Sequence, residues 1–137
     1  MKKKIKIPKT PKEAFTEAEL FYKNALETLS KSPIEYGAYK NGKLVKEASA
    51  MGYLAALRAI DGYLLLKGLL PERLPQSITE YEKAIARIPR NGKLSIALEL
   101  IYENLHIFGY YRGGISVDMI KAGFQKARLI IDTFSKT

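Results

Sequence analysis

Arg58 and Asp61 stand three residues apart in an otherwise apolar run, so on a helix they share a face and can pair. Neither charge tolerates an apolar core alone, whereas a hydrogen-bonded pair does. Two roles fit such a pair. One is a polar ligand site inside a helical bundle; the other is a structural ion pair that also serves a tyrosine or a helix end. Glu103-Asn-Leu-His106 has the Glu-x-x-His step of di-iron carboxylate bundles. The full site needs a second such step, and His106 is the only histidine. An α-helical wheel points His106 away from the Leu98–Leu105 stripe, towards Ser95 and Glu99, as a surface residue. Tyr110-Tyr111-Arg112 sets two aromatics beside a guanidinium at a helix end, before Gly113-Gly114. These side chains suit stacking on a base or gripping a phosphate, and equally suit closing the end of a core.

Complete catalytic sets do not assemble from this sequence. Cysteine is absent, Gly-x-Ser-x-Gly is absent, and the glycine pair is no phosphate loop because no Gly-x-x-x-x-Gly-Lys-Ser/Thr occurs. The candidate binding residues are therefore Arg58, Asp61, Tyr110, Tyr111 and Arg112. No catalytic residue, metal ligand or cofactor is expected.

The elements that position these groups follow from periodicity. A helix over roughly Lys43–Leu69, ending near Gly68, carries Ala48, Gly52, Ala55, Ala59 and Gly62 at spacings of 4, 3, 4 and 3. That puts five small residues on one face. Two glycines inside a helix cost about 1 kcal/mol each relative to alanine, so close approach of another helix backbone is the expected compensation. Tyr53, Leu57, Ile60 and Leu64 make a second apolar face, and Met51, Leu54 and Leu65 a third, which predicts a buried central helix.

Four more helices are expected. The first opens at Thr10-Pro11-Lys12-Glu13, a capping box with proline at the first turn, and repeats Phe15, Ala18, Tyr22, Ala25 and Leu29. Ile34 to Gly42 reads as a loop. Ser77-Ile78-Thr79-Glu80 caps a short helix through Tyr81, Ile85 and Ile88. Leu94, Leu98, Ile101, Leu105 and Phe108 mark the fourth. Ser116 caps the fifth, whose stripe runs Val117, Ile120, Phe124, Ala127, Ile131 and Phe134. Sustained period-two alternation is missing, so the expected fold is all-α, an up-and-down bundle of four to five helices.

The chain has 137 residues and 47% apolar content, enough for one globular domain. The net charge of +9 is concentrated at the start: Lys2, Lys3, Lys4, Lys6, Lys9 and Lys12 fall in residues 1–12, which hold no acid. The other 125 residues carry 17 basic against 14 acidic groups. Residues 1–12 are expected to form a flexible basic tail before a domain at 13–137, with salt-sensitive contact to nucleic acid as its functional option. The start lacks the apolar stretch of a secretory signal. Arg58, Asp61 and Lys67 interrupt the apolar run Met51–Leu70, which argues against a membrane span. The absence of cysteine suits a reducing cytoplasm.

The order of these pieces resembles the HEPN-like helical bundles. Arg58-Ala-Ile-Asp-Gly-Tyr-Leu-Leu-Leu-Lys-Gly68, then Leu70-Pro71, is similar to that superfamily's alanine- and leucine-rich helix and proline connector. Tyr111-Arg112-Gly113-Gly114 before Val117–Phe134 is similar to its turn before the last helix. The resemblance spans roughly residues 13 to 134. Its ribonuclease members place arginine four to six residues before histidine, and no arginine here precedes His106 at that spacing. The resemblance therefore implies a non-catalytic member that forms a homodimer or docks on a protein partner, with nucleotide or RNA binding as the alternative.

Overall fold

A computed structural model describes residues 7–137. Helices dominate it: α1 Pro11–Ser30, α2 Gly42–Leu66, α3 Ile78–Ala86, α4 Gly92–Ile101 and α5 Val117–Ser135. A single 3-10 turn, Pro71–Arg73, lies in the connector after α2. The fold is all-α, as the periodicity predicts. Among the described residues no helix is long and apolar enough to cross a membrane.

Side-chain caps set most helix starts. Thr10, Ser77 and Ser116 each accept a hydrogen bond from the backbone N–H three residues on, at 3.1, 3.2 and 3.3 Å. Asn41 does the same for Leu44 at 3.2 Å, so α2 opens at Gly42, the last residue of the expected loop. Asn91 precedes α4 but turns its amide backwards, donating to the carbonyls of Ala86 and Ile88 and closing the end of α3.

Contacts between helices fix their directions. Phe15 meets Gly62 and Glu17 meets Arg58, so α1 and α2 run antiparallel. Leu105 meets Gly52 and Ser49 meets Gly109, so the chain after α4 runs back along α2. Arg128 of α5 donates to Glu19 at 2.9 Å, and Tyr22 donates to the Phe124 carbonyl at 3.3 Å; α5 is therefore antiparallel to α1. Phe124 at Gly52 and Tyr63 against Phe134 bring the like-directed α2 and α5 together across the middle. Four long rods alternate in direction, and α3 is a short brace between α2 and α4.

The small-residue stripe on α2 is buried throughout, but its occupants differ from expectation. A Cβ on Gly52 would lie 2.6 Å from the Phe124 ring, and one on Gly62 would lie 2.7 Å from the Phe15 ring. Large side chains, not helix backbones, fill the space that the glycines leave. Leu54 of the third apolar face is exposed.

Two further differences concern the connections. Ile34 to Tyr39 is not an irregular loop. It is a two-stranded antiparallel hairpin, β1 Ile34–Glu35 and β2 Ala38–Tyr39, turning through Tyr36 and Gly37 at φ of 52° and 76°. Positive φ at both central residues is the type I′ arrangement. The Tyr39 N–H donates to the Ile115 carbonyl and the Val117 N–H to that of Gly37, which ties this hairpin to the start of α5. At the other boundary, Pro8 is fully buried and α1 includes Pro11 and Lys12, so packing reaches further towards the N-terminus than residue 13. Lys2, Lys3, Lys4 and Lys6 lie outside the described residues.

Candidate functional site

The Arg58–Asp61 pair forms, as the spacing predicts, and it is the centre of a longer relay. Arg58 Nη1 donates to Asp61 Oδ2 at 3.1 Å, and the Tyr81 hydroxyl of α3 donates to Asp61 Oδ1 at 2.8 Å. Glu17 of α1 approaches Arg58 Nε at 3.2 Å, an ion-pair distance without hydrogen-bond alignment. The arginine also lies 5.7 Å over the Phe21 ring. Two helices thus meet on one buried carboxylate, and α1 joins them through Arg58.

Asp61 is only 2% exposed. Loss of hydration raises its pKa from 3.8 to about 6; the Tyr81 hydrogen bond and the Arg58 charge oppose this without cancelling it. Burial and the neighbouring carboxylate push the Tyr81 phenol far above its ordinary range. Each carboxylate oxygen accepts a hydrogen bond inside the protein, and burial keeps Asp61 away from a substrate in solvent.

Tyr81 also lines a cleft of about 380 Å³, together with Tyr53, Leu57, Gln76, Ser77, Tyr102 and His106 among others. The cleft depends on a departure from α-helical geometry. After α4 the chain continues as a ten-residue π-helical segment, Tyr102–Tyr111. Its i→i+5 bonding widens each turn and rotates side chains about the axis relative to an α-helix, while residues four apart still share a face. Tyr102, His106 and Tyr110 follow that spacing. His106 stacks on Tyr53 with ring centroids 4.6 Å apart, on Tyr110 at 5.9 Å and beside Tyr102 at 5.3 Å.

His106 is therefore half-buried against these rings and is not turned towards Ser95 and Glu99. The 3.6-residue wheel assigned the wrong direction because the turn it assumed is absent here. The Tyr102-x-x-x-His106-x-x-x-Tyr110 spacing was available in the sequence as a signal. The widened turn is also anchored: Asn104 is buried and donates to the Met119 carbonyl at 3.0 Å, and Gly109 packs against Ser49.

Burial, with contributions from Tyr102 and Glu82, pushes the Tyr53 phenol up to about 12. The rings of Tyr53, Tyr102 and His106 line the cleft, and the Tyr53 phenol stays protonated at neutral pH. That arrangement suits stacking and hydrogen bonding with a bound molecule. Among the described residues no group of three or more histidine or acidic side chains could hold a metal ion.

The candidate residues divide into two groups. Arg58 and Asp61 connect through Tyr81 to the cleft, and Tyr110 ends its ring stack. Tyr111 and Arg112 stand outside it, the guanidinium 5.3 Å over a tyrosine ring that is 67% exposed. Sequence reasoning missed Tyr53, Tyr81 and Tyr102 as partners of one cleft, because they come from three separate segments.

No curated protein matches the chain. A solved structure described as a protein of unknown function from Dyadobacter fermentans is similar, with a TM-score of 0.77 and 29% identity over 93% of this chain and 98% of that one. The family described as "Domain of unknown function (DUF5618)" matches residues 13–136, nearly the whole chain, and the protein belongs to that family.

Proposed function

We propose that the protein is a non-catalytic helical-bundle binding module, and that its ligand surface is the aromatic cleft between α2, α3 and the π-helical segment. One observation carries this reading: the π-helical segment stacks His106, which lines the cavity, on Tyr53 and Tyr110. π-Helical geometry is rare and is found often at functional sites. The rings favour a flat, ring-bearing molecule, and the Ser77 and Gln76 side of the lining supplies polar contacts. Asp61 is buried and held by Arg58 and Tyr81, which favours binding over proton transfer. Membership of the HEPN-like superfamily, with self-association or docking on a protein partner, belongs to the same proposal. The alternating rods and the proline connector after α2 are in keeping with it.

The test is a titration with indole, followed through the His106 ring protons by NMR. Saturable shifts that vanish in Tyr102→Ala are expected. Resonances that stay still at millimolar indole refute the cleft as a ring site. Light scattering on the purified chain separately decides self-association: a strict monomer at high concentration removes the dimer.

A second reading, RNA binding, draws on exposed Tyr111 beneath Arg112 and on the lysines at the start. It predicts salt-dependent RNA binding that is lost when residues 1–6 are deleted. That deletion spares buried Pro8 and the Thr10 cap.

A further inference from the structure

A second groove, which shares only Pro75 with the aromatic cleft, runs between the end of α2, the proline connector and the opposite face of α3. It encloses about 690 Å³, and its charged lining is Lys67, Arg73, Lys83 and Arg87 against the single acid Glu80. Glu80 is already engaged: its carboxylate accepts the Gln76 N–H at 2.8 Å and the Ser77 hydroxyl at 3.3 Å as part of the α3 cap. Among the described residues none of the four cations is paired with a carboxylate. Lys67 has an aromatic neighbour instead, its ammonium 5.5 Å over the Tyr63 ring. Between the cations the lining is apolar, with Leu64, Leu69, Pro75 and Ile88.

We infer that this groove docks an acidic segment of a partner protein whose carboxylates alternate with apolar side chains. Charge complementarity sets the sign of the partner. The spread of the charges sets its form. The four cations come from α2's end, the connector and two turns of α3, so they meet a distributed anion better than a compact one. A compact phosphate site uses helix N-termini and convergent N–H groups, and this groove offers long cationic side chains around an apolar floor. An acidic, partly apolar peptide satisfies both the floor and the rim.

The experiment uses the full chain and a dye-labelled twelve-residue peptide of repeating Glu-Glu-Leu, with anisotropy measured at about 50 mM salt, where exposed charges are weakly screened. The double reversal Lys83→Glu/Arg87→Glu is compared with Lys23→Glu/Lys121→Glu, which changes net charge equally at exposed positions of α1 and α5. The groove reversal weakens binding at least tenfold, the neutral pair Lys83→Gln/Arg87→Gln weakens it by less, and the control reversal changes it by under about twofold. Unchanged thermal melting of the groove variants ties the loss to the surface. Equal loss in the control pair overturns the inference in favour of diffuse attraction to a basic protein. Absence of wild-type binding overturns it as well. Displacement of the peptide by micromolar inorganic tripolyphosphate overturns it in favour of a compact-anion site.

Discussion

Replacing Asp61 by asparagine tests the physics of the central relay, because the sign of its effect depends on pH. The carboxyl has a folded pKa raised from 3.8 to about 6 by burial. A raised carboxyl pKa means that the folded state holds its proton more tightly than the unfolded chain does. Asp61 then contributes stability that is fully present below the unfolded pKa and is lost as pH rises through about 6. Roughly two pKa units at 1.36 kcal/mol each give a swing of about 3 kcal/mol between about pH 3.5 and pH 7. In a chain of this size that corresponds to roughly 10 °C in melting temperature. Asparagine does not titrate, so subtracting its curve from that of the native chain cancels the other carboxylates. Urea unfolding of both proteins across this range should show the native chain losing ground to Asp61→Asn as pH rises. Tyr81→Phe removes a hydrogen bond to the ionised form and should move the midpoint higher still. Carboxyl-carbon NMR reads the same midpoint directly. If Arg58 and Tyr81 outweigh desolvation, the native chain gains on the asparagine variant as pH rises. That opposite slope, or an Asp61 midpoint below pH 4, refutes the reasoning.

Two further outcomes follow from backbone and packing. Gly109→Ala places a Cβ 2.2 Å from Ser49 Oγ and 2.8 Å from Ser49 Cβ and the Ile120 side chain, so it should destabilise by about 2 kcal/mol. Ser49→Gly should recover much of that loss, and a double-mutant cycle with purely additive costs would refute the contact. Tyr36 is 98% exposed at φ 52°, so Tyr36→Asn sacrifices no packing and should raise stability by about 1 kcal/mol in a thermal melt; a lower melting temperature would show that the tyrosine ring contributes to the fold.

Helix existence and capping were legible in the sequence because they depend on local rules. Thr10, Ser77 and Ser116 cap where their residue types and their distance from the following apolar stripe place them. The Arg58–Asp61 pair was legible for the same reason, since i,i+3 spacing fixes proximity within one helix. The partners of that pair were not, because Glu17 and Tyr81 arrive from other helices through tertiary packing. The hairpin escaped notice since Tyr36-Gly37 lacks the Asn-Gly or Asp-Gly of a typical I′ turn, and the bond from Tyr39 to Ile115 that helps hold it is non-local. His106 was misplaced by a single wrong assumption, a constant 3.6-residue turn, whose error accumulates along Tyr102–Tyr111.

That misplacement carries physical information about the cleft. A π-helical run has poorer intrinsic geometry than an α-helix and persists where surrounding contacts favour it. Here the supports are identifiable: Asn104 reaches the Met119 carbonyl, Gly109 admits Ser49, and Leu105 fills the space beside Gly52 and Gly123. None of these contacts requires the ring stack itself, so the scaffold holds Tyr102, His106 and Tyr110 in line from behind. On the other side of the cleft, Asp61 fixes the Tyr81 hydroxyl and with it the position of α3. Two locally unfavourable features, a widened helix and a buried carboxylate, therefore set opposite walls of one cavity. Local rules of folding give way at functional sites more often than elsewhere. Their convergence on one 380 Å³ space is why we propose a ligand site there and not along the more regular α1–α5 surface.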